Sequence, residues 1–175
     1  MLTRRRTAGL LACSLSCRAR TSFAAIAANV TIKEGDLLKR IDDSGKTFLT
    51  SDDVLHEHGP VLCWPVSPDG KHVRKETSYN RLWVMKSGIY GMNGFIAYSA
   101  ICQHAACLVS DWDSRQRHLI CPCHGSAYSV DQGGRVVAGP APYSLPYLPL
   151  GVRQNALIIA GVFSGQIGGH ASRAD

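Results

Sequence analysis

The sequence predicts a mostly β protein built as one domain. Three observations carry that expectation. Short segments rich in β-branched and aromatic residues recur from Leu82 onward. Glycines and prolines interrupt them at intervals that would break a starting helix, and no stretch sustains a long 3.6-residue hydrophobic period. A length of 175 residues calls for no second core.

Residues 29–60 mix charges with turn formers such as Asp42-Asp43-Ser44-Gly45, and a short helix is expected over 51–58. Val61-Leu62-Cys63-Trp64 is an apolar run closed by Pro65, and Ser67-Pro68-Asp69-Gly70 reads as a turn. Strands are expected over 82–86, 95–101, 118–121, 135–138, 145–153 and 156–160. Gly88, Gly91, Gly94, Gly133-Gly134 and the stretch 140–149 separate them. Residues 165–175 read as a flexible tail.

Hydrophobic residues at 45% and charged residues at 18% describe an ordinary globular chain, and aromatics at 7% are too few for a nucleic-acid stacking surface. The net charge of +6 belongs to the N-terminus, because Arg4, Arg5, Arg6, Arg18 and Arg20 precede Asn29 with no acidic residue among them. Without those five the balance is about +1, so no nucleic-acid partner is expected. Thr3-Arg4-Arg5-Arg6, an apolar stretch from Ala8 to Leu15 and small residues through Ala28 form a targeting layout. It resembles a twin-arginine export signal over 1–28, which implies an exported or periplasmic protein. A disordered basic tail or an organelle transit peptide is the alternative these residues allow, and Leu10-Leu11-Ala12-Cys13 faintly resembles a lipoprotein box. No run approaches the roughly 20 apolar residues of a membrane-spanning helix. Attachment at the membrane would therefore be peripheral, through a partner or an uncleaved signal.

Two clusters carry the chemistry. Cys102-Gln103-His104-Ala105-Ala106-Cys107 and, after thirteen intervening residues, Cys121-Pro122-Cys123-His124-Gly125-Ser126 each follow an expected strand. Loops at strand ends can converge, so the two sets can supply one metal site. Mixed cysteine and histidine ligands admit a structural zinc ion or a [2Fe–2S] cluster. Zinc sites usually leave about two to four residues between paired ligands, whereas Cys102-x-His104 leaves one, which suits two metals better than one.

These boxes, CQHAAC and CPCHGS, resemble the Rieske family, whose motifs run C-x-H-x-x-C and C-x-x-H. The resemblance implies one [2Fe–2S] cluster, with Cys102 and Cys121 on the inner iron and His104 and His124 on the outer iron. It also implies a disulfide between Cys107 and Cys123. The implied fold is an antiparallel β sandwich with a small cluster-binding subdomain. Residues 29–100 and 144–164 would form the base and 101–143 the subdomain.

Further positions are similar to the Rieske proteins of cytochrome bc complexes. Ser126 and Tyr128 match positions whose hydroxyls hydrogen-bond cluster sulfur, and Gly139-Pro140-Ala141-Pro142 matches the proline loop that covers the cluster. Neutral imidazoles in place of two thiolates, with those hydroxyls, imply a potential in the upper part of a span of about −150 to +300 mV. Electron and proton uptake could couple at His104 or His124. Gln103, Ala105 and Ala106 stand where these relatives commonly carry Thr, Leu and Gly. Ala105 leaves a flatter, less apolar contact on the quinone-facing side.

The implied role is electron transfer in a quinol–cytochrome c reductase-like chain, with no catalytic centre beyond the cluster. A c-type cytochrome or similar protein would accept the electron, and a quinol or b-type cytochrome would supply it. A second resemblance is to the Rieske small subunit of a periplasmic molybdenum oxidoreductase of the arsenite oxidase type, with a molybdoenzyme as donor. Elsewhere, Cys63 reads as a buried free thiol, and His56, His58, His72, His118 and His170 as surface or loop histidines. Trp64, Trp83 and Trp112 read as packing residues. Cys13 and Cys17 fall in the expected signal.

Overall fold

The computed structural model describes residues 30–42, 47–88 and 92–169. The expected signal over 1–28, with Cys13 and Cys17, lies outside them, as do His170 and the end of the expected tail.

Six strands close into an antiparallel barrel: β1 (Leu37–Arg40), β2 (Val61–Val66), β3 (Leu82–Lys86), β4 (Phe95–Ser99), β9 (Tyr147–Arg153) and β10 (Ala156–Ile159), in the order β1-β10-β9-β4-β3-β2. The strands alternate, as half-buried β strands must. Val61 and Cys63, Leu82 and Val84, Phe95 and Ala97, Leu148 and Leu150, and Leu157 and Ile159 all point into one core. Each large aliphatic side chain buried this way is worth roughly 1.5–3 kcal/mol. The base is thus all-β as expected, with its edges joined.

Pro65 does not end β2. It lies opposite Leu38, whose carbonyl accepts from the Leu49 N–H at 2.8 Å. The pair therefore exchanges no ladder bond, and the missing proline N–H costs the sheet nothing. Leu49 bridges β1 to β10 on the other side of β1, its carbonyl accepting from Leu157 N–H at 2.9 Å.

The expected helix forms as α1 (Ser51–His56). Thr50 Oγ1 accepts from Asp53 N–H at 3.1 Å and Asp53 accepts from Thr50 N–H at 2.8 Å, a reciprocal capping box.

A second antiparallel sheet holds β5 (Asp111–Asp113), β6 (His118–Cys121), β7 (Ser126–Ser129) and β8 (Arg135–Ala138), in sequence order. It stands on the outer face of the barrel at β4. Ile96 and Tyr98 alternate outward from Phe95 and Ala97 and join a second core with Val109, Leu119, Tyr128, Val130 and Leu145. Two bonds fix the sheets together: Tyr98 hydroxyl to Val130 carbonyl at 2.9 Å and Trp83 Nε1 to Val109 carbonyl at 2.7 Å.

Within the expected tail, Gly165 and Gln166 are exposed, whereas the next three residues pack against the fold. Ile167, Gly168 and Gly169 are buried, because an apolar side chain and two glycines fit where Tyr79 and Gln103 approach closely.

Candidate metal centre

Three loops of the second sheet meet at one end. They join β4 to β5, β6 to β7 and β8 to β9.

The first two have the same backbone design. The N–H of Ala106 donates to the Cys102 carbonyl at 3.1 Å, and the N–H of Gly125 donates to the Cys121 carbonyl at 3.0 Å. Each is a five-residue turn opened by a cysteine and closed by a residue of positive φ, 55° at Ala106 and 73° at Gly125. Glycine adopts that conformation freely and alanine under strain. The two turns are tied by the disulfide Cys107–Cys123, across a Cα separation of 6.6 Å. The pairing implied by the resemblance is therefore present.

Inside the turns, the expected ligands fall into two pairs of different exposure. Cys102 and Cys121 are buried at 1% exposure each, with their thiols in hydrogen-bond contact. His104 is half-buried and His124 exposed, with their Nδ1 atoms 3.2 Å apart and their rings edge to face. The sulfur end lies in the fold and the imidazole end at the surface. Cys107, Cys121 and Cys123 sulfurs lie within 4.8 Å of one another. Two of them form the disulfide, so that trio offers only Cys121 as a ligand.

Donors converge on the buried sulfurs. Tyr128 is fully buried; its hydroxyl accepts from the Gln103 N–H at 2.9 Å and lies 3.1 Å from Cys102 Sγ. A deprotonated or metal-bound Cys102 sulfur can only accept, and in that state the Tyr128 hydroxyl is the donor. Ser126 Oγ likewise accepts from Ala141 N–H at 3.2 Å and reaches Cys102. Burial pushes the Cys102 thiol up, but Tyr128, the His104 N–H, Cys121 and Ser126 together bring it below the ordinary value. Cys121 is held above the ordinary value, first by burial and then by its neighbour Cys102, despite the N–H groups of Cys123 and His124. Tyr128 is held above its usual range by burial and by its bond to Cys102. The donors around Cys102 thus favour negative charge on that sulfur, while Cys121 beside it stays the harder of the two to ionise.

The loop 139–142 forms a third wall. Gly139 has φ of 81°, and a Cβ there would collide with the Gly125 carbonyl and the Ser126 backbone. Ala141 is buried, while Pro140 and Pro142 are exposed. Ala105 is exposed at the tip of the first turn.

Other residues sort as expected. Cys63 is fully buried, and burial holds its thiol well above the ordinary value. His56, His58 and His72 are exposed and His118 half-buried. Trp83 packs with its N–H satisfied, and Trp64 and Trp112 lie beneath Arg81 and Arg117. Nothing in the sequence pattern pointed to the burial of Gln103, or to its contact with Gly169. A glutamine between two ligand-type residues carries no periodic or spacing signal.

Residues 65–149 match the sequence model of the Rieske [2Fe–2S] domain. Among similar proteins is the cytochrome bc1 complex Rieske iron–sulfur subunit of Streptomyces lividans, 40% identical over 76 residues, covering 43% of this chain and 45% of that protein. The cytochrome b6-f complex iron–sulfur subunit of Prochlorococcus marinus is 44% identical over 69 residues, covering 39% and 37%. A Haloferax mediterranei protein described as a respiratory nitrate reductase subunit Rieske is 40% identical over 80 residues, covering 45% and 36%. The matched stretch spans less than half the length of each of these relatives. Both cysteine–histidine turns, their disulfide and the third loop fall inside residues 65–149, and the chain therefore carries a Rieske domain, the fold that holds one [2Fe–2S] cluster.

Proposed function

We propose that this chain passes single electrons through a high-potential [2Fe–2S] cluster held by Cys102, Cys121, His104 and His124, as the iron–sulfur subunit of a quinol–cytochrome c reductase-like chain. The observation that carries this reading is the polarity of the site. Its thiol pair is buried under hydroxyl and backbone donors, while its imidazole pair reaches the surface.

The donor set suits the group. Two soft sulfurs and two imidazoles, paired separately, match an iron on each side, and the spacing Cys102-x-His104 serves two metals without crowding. When bound, the cluster supplies reversible uptake of one electron. The chain's residues set how readily that happens. Tyr128 and Ser126 donate toward the Cys102 sulfur and favour the more electron-rich state, raising the potential. Buried Leu119, Val109 and Leu145 keep water from the sulfur end. His104 and His124 form the edge through which a partner's centre would come near.

By this reading the acceptor is a c-type cytochrome or similar protein and the donor a quinol or b-type cytochrome, as the names of the bc1 and b6-f relatives suggest. A second reading, a Rieske subunit serving a molybdoenzyme, is favoured by the Haloferax relative and by the small exposed Ala105 where a quinol would press. Residues 1–28 would direct export to the periplasm, and no described helix is long and apolar enough to cross a membrane.

Low-temperature electron paramagnetic resonance of the ascorbate-reduced protein tests the cluster. A one-electron [2Fe–2S] signal with two irons per chain is expected, and a silent spectrum with one zinc per chain would end the reading. Co-purification from native membrane and periplasmic fractions separates the donors: a b-type cytochrome supports the first and a molybdoenzyme the second.

A further inference from the structure

The chain beyond β10 returns to the metal centre. Ser164 runs beside Tyr147, with Ser164 N–H on the Tyr147 carbonyl at 2.8 Å and Tyr147 N–H on Ser164 Oγ at 3.0 Å. Ile167 is then buried at 5% exposure. Gly168 lies against the Tyr79 ring, where a Cβ would meet carbon at 2.9 Å, with φ of 90°. Gly169, with φ of 65°, lies so close to the backbone carbonyls of Gln103 and His104 that a Cβ would collide with Gln103.

The contact at its end is polar and buried. Gly169 N–H donates to Gln103 Oε1 at 3.0 Å across 66 positions of sequence, and Gln103 is 1% exposed. The Gln103 amide nitrogen is buried and makes no hydrogen bond. A buried glutamine whose donor goes unsatisfied costs stability, and its acceptor side offsets only part of that. That acceptor is the clasp on Gly169. The backbone N–H of the same residue is the donor that orients the Tyr128 hydroxyl toward Cys102.

We propose that the segment 164–169 is a strap that holds Gln103, and through its N–H the Tyr128 hydroxyl, in register with the Cys102 sulfur, making Gln103 and Gly169 positioning residues for the electron-transfer centre. The path is short and physical: Gly169 N–H fixes the Gln103 side chain, the side chain fixes the peptide that precedes it, and that peptide's N–H fixes the Tyr128 proton. The inference rests on the cluster reading above.

Two variants of the full chain lift the strap differently. Gln103→Met keeps the volume and removes the acceptor. Gly169→Ala keeps Gln103 and forces the backbone away, so one remains informative if the other fails to fold. Three readouts apply. Amide hydrogen exchange at Gly169 should quicken about fivefold in Gln103→Met, the loss of one net hydrogen bond. The midpoint potential, by protein-film voltammetry, should fall in both variants. On a Tyr128→Phe background the same substitutions should leave the midpoint where Tyr128→Phe alone puts it, because the strap acts through that hydroxyl.

Equal midpoint shifts with and without the Tyr128 hydroxyl would overturn the proposal, as would an unchanged midpoint in a Gln103→Met protein whose Gly169 exchange has quickened. Unchanged exchange in Gln103→Met would overturn it too. The wild-type paramagnetic resonance spectrum separates these outcomes from failure of the cluster reading, since it reports the cluster before any strap residue is altered.

Discussion

The Tyr128 hydroxyl accepts from Gln103 N–H and faces Cys102 Sγ, and Ser126 Oγ accepts from Ala141 N–H and faces the same sulfur. Each therefore has its proton free for sulfur. Tyr128→Phe and Ser126→Ala should each lower the midpoint potential in protein-film voltammetry, and an unmoved midpoint would remove the bonds assigned to them. Tyr128→Phe should also cost about 1–3 kcal/mol of stability, because the Gln103 N–H loses a buried acceptor. Ala106 holds φ of 55° at the close of its turn, a conformation that glycine adopts without strain. Ala106→Gly should raise stability by about 0.5–1 kcal/mol, read as a higher urea midpoint at unchanged slope. The residue types and spacing made the ligand candidates and both hydroxyls legible in advance. They could not show which donor each hydroxyl would accept from, because those donors come from other loops.

At the scale of elements, two turns of one design hold the site, and the Cys107–Cys123 bridge ties them across a sequence separation of 16. Replacing both cysteines with serine should cost about 2–4 kcal/mol in denaturant unfolding, because the cross-link restricts the unfolded chain. The α1 capping box adds a pH dependence. Hydrogen bonds from Thr50, side chain then backbone, hold the Asp53 carboxyl below the usual carboxylate range. A depressed pKa stabilises the fold above the unfolded value and loses that stabilisation as pH falls through the folded value. The melting temperature of Asp53→Asn should therefore fall less than that of wild type below about pH 4. Strands β3, β6 and β8 appear over the expected residues. β1, β5 and β7 were not expected. Asp111-Trp112-Asp113 lacks an apolar pattern, and Ser126-Ala127-Tyr128-Ser129 is polar in sequence yet wholly buried, since its hydroxyls have partners only in the assembled site.

In the whole molecule, closure of the barrel depends on a buried charge at its seam. Asp36 is fully buried, accepts Lys33 N–H at 2.7 Å and pairs with Arg74 Nε at 2.6 Å and Nη2 at 3.0 Å. Its backbone carbonyl also accepts from Ile159 N–H, joining β1 to β10. Asp36→Ala would leave Arg74 unpaired and mostly buried, and should cost about 3–5 kcal/mol in equilibrium unfolding. The second sheet depends on the barrel in turn, because β4 is buried along its whole length between the two cores. By itself, the sequence determined the β class, the short helix and the two cysteine–histidine turns, since each depends on residues near one another in the chain. Ring closure, the burial of Asp36 and Gln103, and the return of Gly169 to the metal centre were decided only by tertiary structure. Those contacts join residues tens of positions apart, and their stability comes from burial and shared hydrogen bonds that exist only once both partners are in place.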